Sequence, residues 1–385
     1  MRQRTKMKTH AEPQRHGDTE NSRGVLFPRG LFSKVGIDCP LPDTLSNLFC
    51  LGLRAFVPLW FMFFPVFFLA VPPCDAAGSV AKIKVLVLDE THPVIPEKNE
   101  RLAKVGNMKG DLLMNGMHYT GDIEVWKGDR GLYLINELPL EDYVESVVAS
   151  EVGANWEIEA LKTQAVISRT YAVQKMRTNA ASQYDLTSSV LHQAYKGNNA
   201  QIQITYAVKE TEGEILTYEG KPIEAFYHST SGGMTEEAEE VFGKHYPYLK
   251  PVLAPCDQSP YFVWEKKIPL PEIEKALGLK AITSITVPAL TSTGRAKEVS
   301  IDTEKGTTVI KATEFRKSLG WSRLPSTNFR LTMDKEAVTF EGKGYGHGVG
   351  LCQWSALQMA KEGRNYREIL SYFYPGTEIR IYEGN

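Results

Sequence analysis

The stretch LPLEDYVESVVASEVGANWEIEALKTQAVISRTYAVQKM, Leu138 to Met176, carries two helical patterns joined by a short glycine-containing break. Pro139 stands at the start of the first, where its missing amide costs nothing, and Glu141 and Asp142 follow in the turn that favours acidic groups. Tyr143, Val144, Val147 and Val148 then recur at helical spacing. The second pattern predicts a helix from Glu157 to Met176, with Ala160, Leu161, Gln164, Ala165, Ser168, Tyr171 and Ala172 on one face. So many small residues on that face predict a helix lying deep against its neighbours. Glu151 falls in the apolar junction between the two helices. A carboxylate there is either a helix-end group, facing water or capping Asn155 and Trp156, or a proton donor whose pKa is raised by desolvation.

Working outward, Ala81 to Glu90 (AKIKVLVLDE) reads as a strand in which Ile83, Val85 and Val87 alternate. Asp122 to Trp126 and Arg130 to Glu137 read as two more. Beyond the helix pair, Ile202 to Pro222 returns to a strand pattern, and STSGG at 229–233 forms a polar turn. Between Ile268 and Arg323 a short helix, PLPEIEKALGL, and strands around a further helix read as an inserted or appended α/β subdomain over 268–323. The expected class is α+β, a β-rich body around a packed central helix pair.

The 385 residues carry a formal charge of -2, unevenly spread. Residues 1–54 hold nine Lys or Arg against five Asp or Glu, and the remainder 35 against 41. A mildly acidic body argues against nucleic acid as partner, since phosphate binding needs a basic patch. Residues 55–71, AFVPLWFMFFPVFFLAV, are uncharged and apolar, and small residues follow at Ala76, Ala77 and Gly78. The segment 55–77 therefore reads as a signal peptide or membrane anchor. Residues 1–54 are then a cytoplasmic tail or a leader from a start assigned too early, and 78–385 the exported body. Of five cysteines, Cys256 and Cys352 belong to that body, and no spacing fixes whether they pair. There is no CxxC pair to signal structural zinc.

Other residues have two readings each. Lys162 and Arg169 lie two turns apart, able to hold an anion or to rim the small-residue face. Gln164, near the core, needs a polar partner. FYHSTSGG, Phe226 to Gly233, offers hydroxyls and amides to a polar ligand, although adjacent His228 and Ser229 make a poor nucleophile–base pair and GxSxG is absent. In GKGYGHGVG, Gly342 to Gly350, alternating glycines permit close backbone approach, and His347 is a substrate contact, a metal ligand or a satisfied turn residue. Trp264 and Trp354 are stacking or core residues.

Four ordered runs carry a resemblance: LPLEDYVESVVASEV with EALKTQAVISRTYAV, YHSTSGGMTEEAEEVFG, SPYFVW, and GYGHGVGLCQWSALQMAKEG. Across residues 80–380 the chain resembles the stage II sporulation protein D family, which includes amidase enhancers. The resemblance implies an extracytoplasmic protein, secreted or anchored to the membrane through the apolar segment, whose partners are peptidoglycan glycan strands and a cell-wall amidase. It implies a lytic transglycosylase that cuts peptide-free glycan after N-acetylmuramic acid and leaves 1,6-anhydro ends. The alternative it carries is a non-catalytic wall-binding protein that enhances an N-acetylmuramoyl-L-alanine amidase. By the same resemblance Glu151 is the catalytic residue, and Gln164, Arg169, Ser229, Thr230, Ser231, His347 and Gln353 bind substrate. Many relatives have methionine where this chain has Val152. Some have a zinc-associated cysteine where it has His192, so no cofactor is expected and a zinc role is weakened.

Overall fold

The computed structural model describes residues 80–384 apart from 89–94, 98–99, 115, 190–191 and 200. The leader and the apolar segment read above as a signal or anchor lie outside the described residues. Among the described residues, no helix is long and apolar enough to cross a membrane.

The strand Lys82–Val87 pairs antiparallel with Gly131–Pro139, Ile83 opposite Leu138 and Val85 opposite Asn136, and parallel with Leu186–Thr187. Asp122–Gly128 and Ala103–Lys109 extend this sheet to five strands. The two-residue period divides its apolar side chains between faces. Ile83, Val85 and Val87 join the main core under the helices, while Leu86, Tyr133 and Ile135 form a smaller cluster.

At Pro139 the chain turns into helix α1, Leu140–Glu151, and after a short break into α2, Ile158–Thr178. Every residue of α2 from Thr163 to Val173 is buried, so this helix is enclosed on all sides rather than along one stripe. The strand expected from Ile202 needs correction: Ile202–Glu210 is helix α3, and strands follow only at Glu214–Tyr218 and Lys221–Pro222. Its β-branched residues mimic a strand, but Ile204, Ala207 and Val208 are buried at helical spacing, and the helix packs on α2.

After α4, Ala238–Phe242, the chain builds a second core of its own. Helices α5, Leu270–Leu277, and α6, Ala312–Leu319, accompany two three-stranded antiparallel sheets. Ile273, Val299, Ile301, Phe315, Val338 and Phe340 are fully buried there. Each such side chain contributes about 1.5–3 kcal/mol by burial. These elements run from Val263 to Lys343 and include the 268–323 stretch read as a subdomain. The chain then returns to the body. Leu351–Cys352 pairs parallel with Tyr227–His228, α7 (Gln353–Lys361) and α8 (Tyr366–Phe373) pack on α2, and Glu378–Ile381 pairs with Glu214–Tyr218. The class is α+β, as expected.

Candidate functional site

A cleft of about 710 Å³ lies between the helix-pair body and the second core. Its walls include Glu151, His192, Ala194, Tyr227, Ser229, His347 and Gln353 from the body, and Thr313, Arg316, Lys317 and Trp321 from α6 and the turn after it.

Glu151 is the last residue of α1 and is partly buried in the cleft. Its Oε1 accepts the Ala194 N–H at 2.8 Å, and the Tyr227 hydroxyl and the Gln353 carboxamide also donate to the carboxyl. Burial pushes the Glu151 pKa above the ordinary glutamate value, against the downward pull of those three donors. It caps neither Asn155 nor Trp156; the Trp156 N–H is bonded instead to the Gly153 carbonyl at 3.1 Å.

The donors around Glu151 are held by a network of neutral groups. Gln193 accepts the Tyr143 hydroxyl at 3.0 Å and donates to the Ser168 carbonyl and the Tyr227 oxygen, both at 3.3 Å. Gln353 donates to Gln164 Oε1 at 3.3 Å, and Gln164 Nε2 donates to Ser168 Oγ at 3.0 Å. The buried polar side of α2 thus has its partners, and they fix the Tyr227 and Gln353 donors. Gln164 is not in the cleft wall but is hydrogen-bonded to Gln353, which is.

Three other residues read as substrate contacts have structural partners. Arg169 is wholly buried, its guanidinium bidentate on Glu141 at 2.7 and 2.5 Å and bonded to the Glu214 carbonyl at 3.1 Å, with no place in the cleft wall. Glu141, one of the two acidic residues of the first turn of α1, is its counter-ion. Ser229 lines the cleft, but Thr230 and Ser231 are buried beneath it. Thr230 shares a 2.6 Å hydrogen bond with Ser259. Ser231 donates its N–H to Cys352 Sγ at 3.2 Å and lies 3.4 Å from Cys256 Sγ. Both of these cysteines are buried and free.

His347 lines the cleft, with Nδ1 accepting the Val349 N–H at 3.0 Å and the ring bonded to the Tyr227 carbonyl. Burial and the Arg316 charge push it down to about 3, so it is a neutral imidazole. It braces the backbone of the tyrosine that donates to Glu151. Gly346 beside it has φ +114°, and a Cβ there would meet His228 Cβ at 2.7 Å; close packing of backbone on side chain requires glycine.

The donor set does not fit zinc. His192 Nδ1 accepts the Thr187 N–H at 2.9 Å, and no group of three or more His, Cys, Asp or Glu that could hold a metal occurs among the described residues.

Sequence reasoning passed over Tyr227 and Trp321. Tyr227 precedes the singled-out His228, and its phenol is legible only through the fold. Trp321 follows Gly320, which ends α6, and a tryptophan just past a helix stop is the signal that could have found it. Trp264 and Trp354, read as stacking or core residues, lie outside the cleft: Trp264 donates to the Gly344 carbonyl at 2.7 Å, and Trp354 packs on Trp156.

Comparison with known proteins gives the following likenesses. The family model described as stage II sporulation protein matches residues 128–218, and a domain of unknown function, DUF8618, matches 254–350. Stage II sporulation protein D of Bacillus subtilis is 37% identical over 263 residues, 64% of this chain and 75% of that protein. An uncharacterized protein of Brachyspira hyodysenteriae is 33% identical over 276 residues, 70% of this chain and 74% of that one. The amidase enhancer of Bacillus subtilis is 27% identical over 292 residues, 62% of this chain but 40% of its own length.

Proposed function

Because the chain belongs to the stage II sporulation protein D family, we propose that it works outside the cytoplasm in peptidoglycan remodelling, binding glycan strands in the cleft at Glu151. The finer reading is a lytic transglycosylase cutting peptide-free strands after N-acetylmuramic acid, and the raised pKa of a cleft carboxyl with only neutral partners carries it. Oε1 accepts the Ala194 amide, which leaves the acid proton to the other oxygen. Protonated Glu151 gives that proton to the glycosidic oxygen as the bond from C1 breaks. The resulting carboxylate takes the proton of the sugar's own C6 hydroxyl, and O6 closes on C1. A 1,6-anhydro end forms and no water is consumed, so one carboxyl serves where hydrolytic glycosidases use two. Tyr227 and Gln353 steady the carboxylate between the two transfers. Residues 55–77 would be the export signal or anchor.

A second reading is a wall-binding protein that enhances a partner amidase, supported more directly by the name of the amidase-enhancer relative. Both readings place glycan in the same cleft and differ in whether it is cut. The test is incubation of the protein with peptide-free glycan and mass analysis of the products. Anhydromuramic ends from the wild type and none from Glu151→Gln support the transglycosylase. Intact glycan from both, together with stimulation of an amidase, would leave only the enhancer.

A further inference from the structure

The cleft has one wall to which no role is assigned, supplied by residues within the 254–350 match to a domain of unknown function. From that wall Trp321 lines the cleft with 37% of its surface exposed. Its ring is not loose. The Arg316 guanidinium lies against it, 4.6 Å from the ring centroid. Arg316 is itself buried, donating to the Leu324 carbonyl at 2.8 Å and the Pro325 carbonyl at 2.7 Å. The Pro325 carbonyl also accepts the Gly346 N–H at 2.9 Å, which ties the turn to the glycine run holding His347. Along the same wall Tyr261, 45% exposed, packs on Tyr345 with ring centroids 4.7 Å apart, and both line the cleft. The wall therefore brings braced aromatic side chains into the same cleft as the hydrogen-bonding groups around Glu151.

A rigid aromatic face suits the weakly positive C–H face of a pyranose ring, as amide and hydroxyl groups suit its edge. We infer that the 254–350 segment is the sugar-gripping wall of the cleft, with Trp321 as the stacking platform for a ring of the glycan strand bound at Glu151. This rests on the reading of the cleft as a glycan site and adds to it the function of the matched segment.

The test measures binding without turnover, using full-length Glu151→Gln protein and peptide-free glycan strands by calorimetry. Replacing Trp321 by Ala in that background is expected to weaken binding roughly 5- to 15-fold, while Trp321→Tyr, which keeps a flat ring, stays within about threefold. Melting curves of the variants check the fold. Hydroxyl-radical footprinting of the unsubstituted indole provides a readout independent of any variant: glycan is expected to protect Trp321 from oxidation. Equal affinity for Trp321→Ala, or an indole oxidised equally with and without glycan, overturns the stacking role while leaving the glycan site standing. Failure of the parent protein to bind glycan overturns both.

Discussion

The two ends of α1 each carry a glutamate, and their surroundings separate architecture from chemistry. At the first turn Glu141 meets the buried Arg169 guanidinium in a bidentate ion pair that locks α1 onto α2. At the last residue Glu151 meets an amide, a phenol and a carboxamide, all neutral. The ion pair gives the first carboxylate a packing role, whereas burial among neutral donors holds the Glu151 pKa above the ordinary glutamate value. The same helix therefore anchors the fold with one carboxyl and presents the other to the cleft.

The largest expected effect breaks the Glu151 end. Glu151→Gln keeps the shape and the Ala194 contact but removes the transferable proton, so formation of anhydro ends is expected to fall by roughly 10²–10⁴-fold with glycan binding retained. A Glu151→Gln protein that cuts at the wild-type rate would show that the carboxyl does no proton transfer. Arg169→Met breaks the other end. It leaves Glu141 without its counter-ion and is expected to cost about 3–5 kcal/mol of stability in denaturant titration, with cleavage per folded molecule unchanged. Lost binding at undiminished stability would instead make Arg169 a substrate contact. Tyr227→Phe sharpens the comparison by deleting one neutral donor. Because that hydrogen bond pulls the Glu151 pKa down, its loss raises the pKa, and the alkaline fall of the pH–rate profile is expected to move upward. A donor of this kind contributes roughly 0.5–1.5 kcal/mol, so the rate itself changes by little more than tenfold.

The smallest effect is on stability against pH. A carboxyl whose value rises on folding favours the folded state below its unfolded value of 4.5, and that contribution is lost as pH climbs through the raised folded value. The melting temperature of Glu151→Gln should therefore gain on the wild type as pH rises from 4.5 through that raised value. A difference between the two that does not vary with pH would contradict the raised value.

The helix pair was legible because Pro139, the acidic first turn and the small-residue face each act locally. Helix α3 was not, because Ile202, Ile204, Thr205 and Val208 favour a strand locally and only packing on α2 decides otherwise. Glu151 stood out by its apolar neighbours, and its desolvation follows from them. The ion pair of Arg169 was not legible for a related reason. A charged residue on a helix gives no sign of its counter-ion when that lies 28 positions away. Thr230 and Ser231 share a polar turn with Ser229, and the course of the chain there sends only Ser229 to the cleft. Tyr227 and Trp321 come to the site from elements 94 residues apart in sequence, a proximity that no spacing records.

The central claim is that Glu151 keeps its proton where an ordinary glutamate has lost it. Carboxyl carbon NMR with ¹³C-labelled glutamate tests this directly, the Glu151 signal being assigned by its absence from Glu151→Gln. The account predicts a titration midpoint above 4.5. A midpoint at or below that value would contradict it.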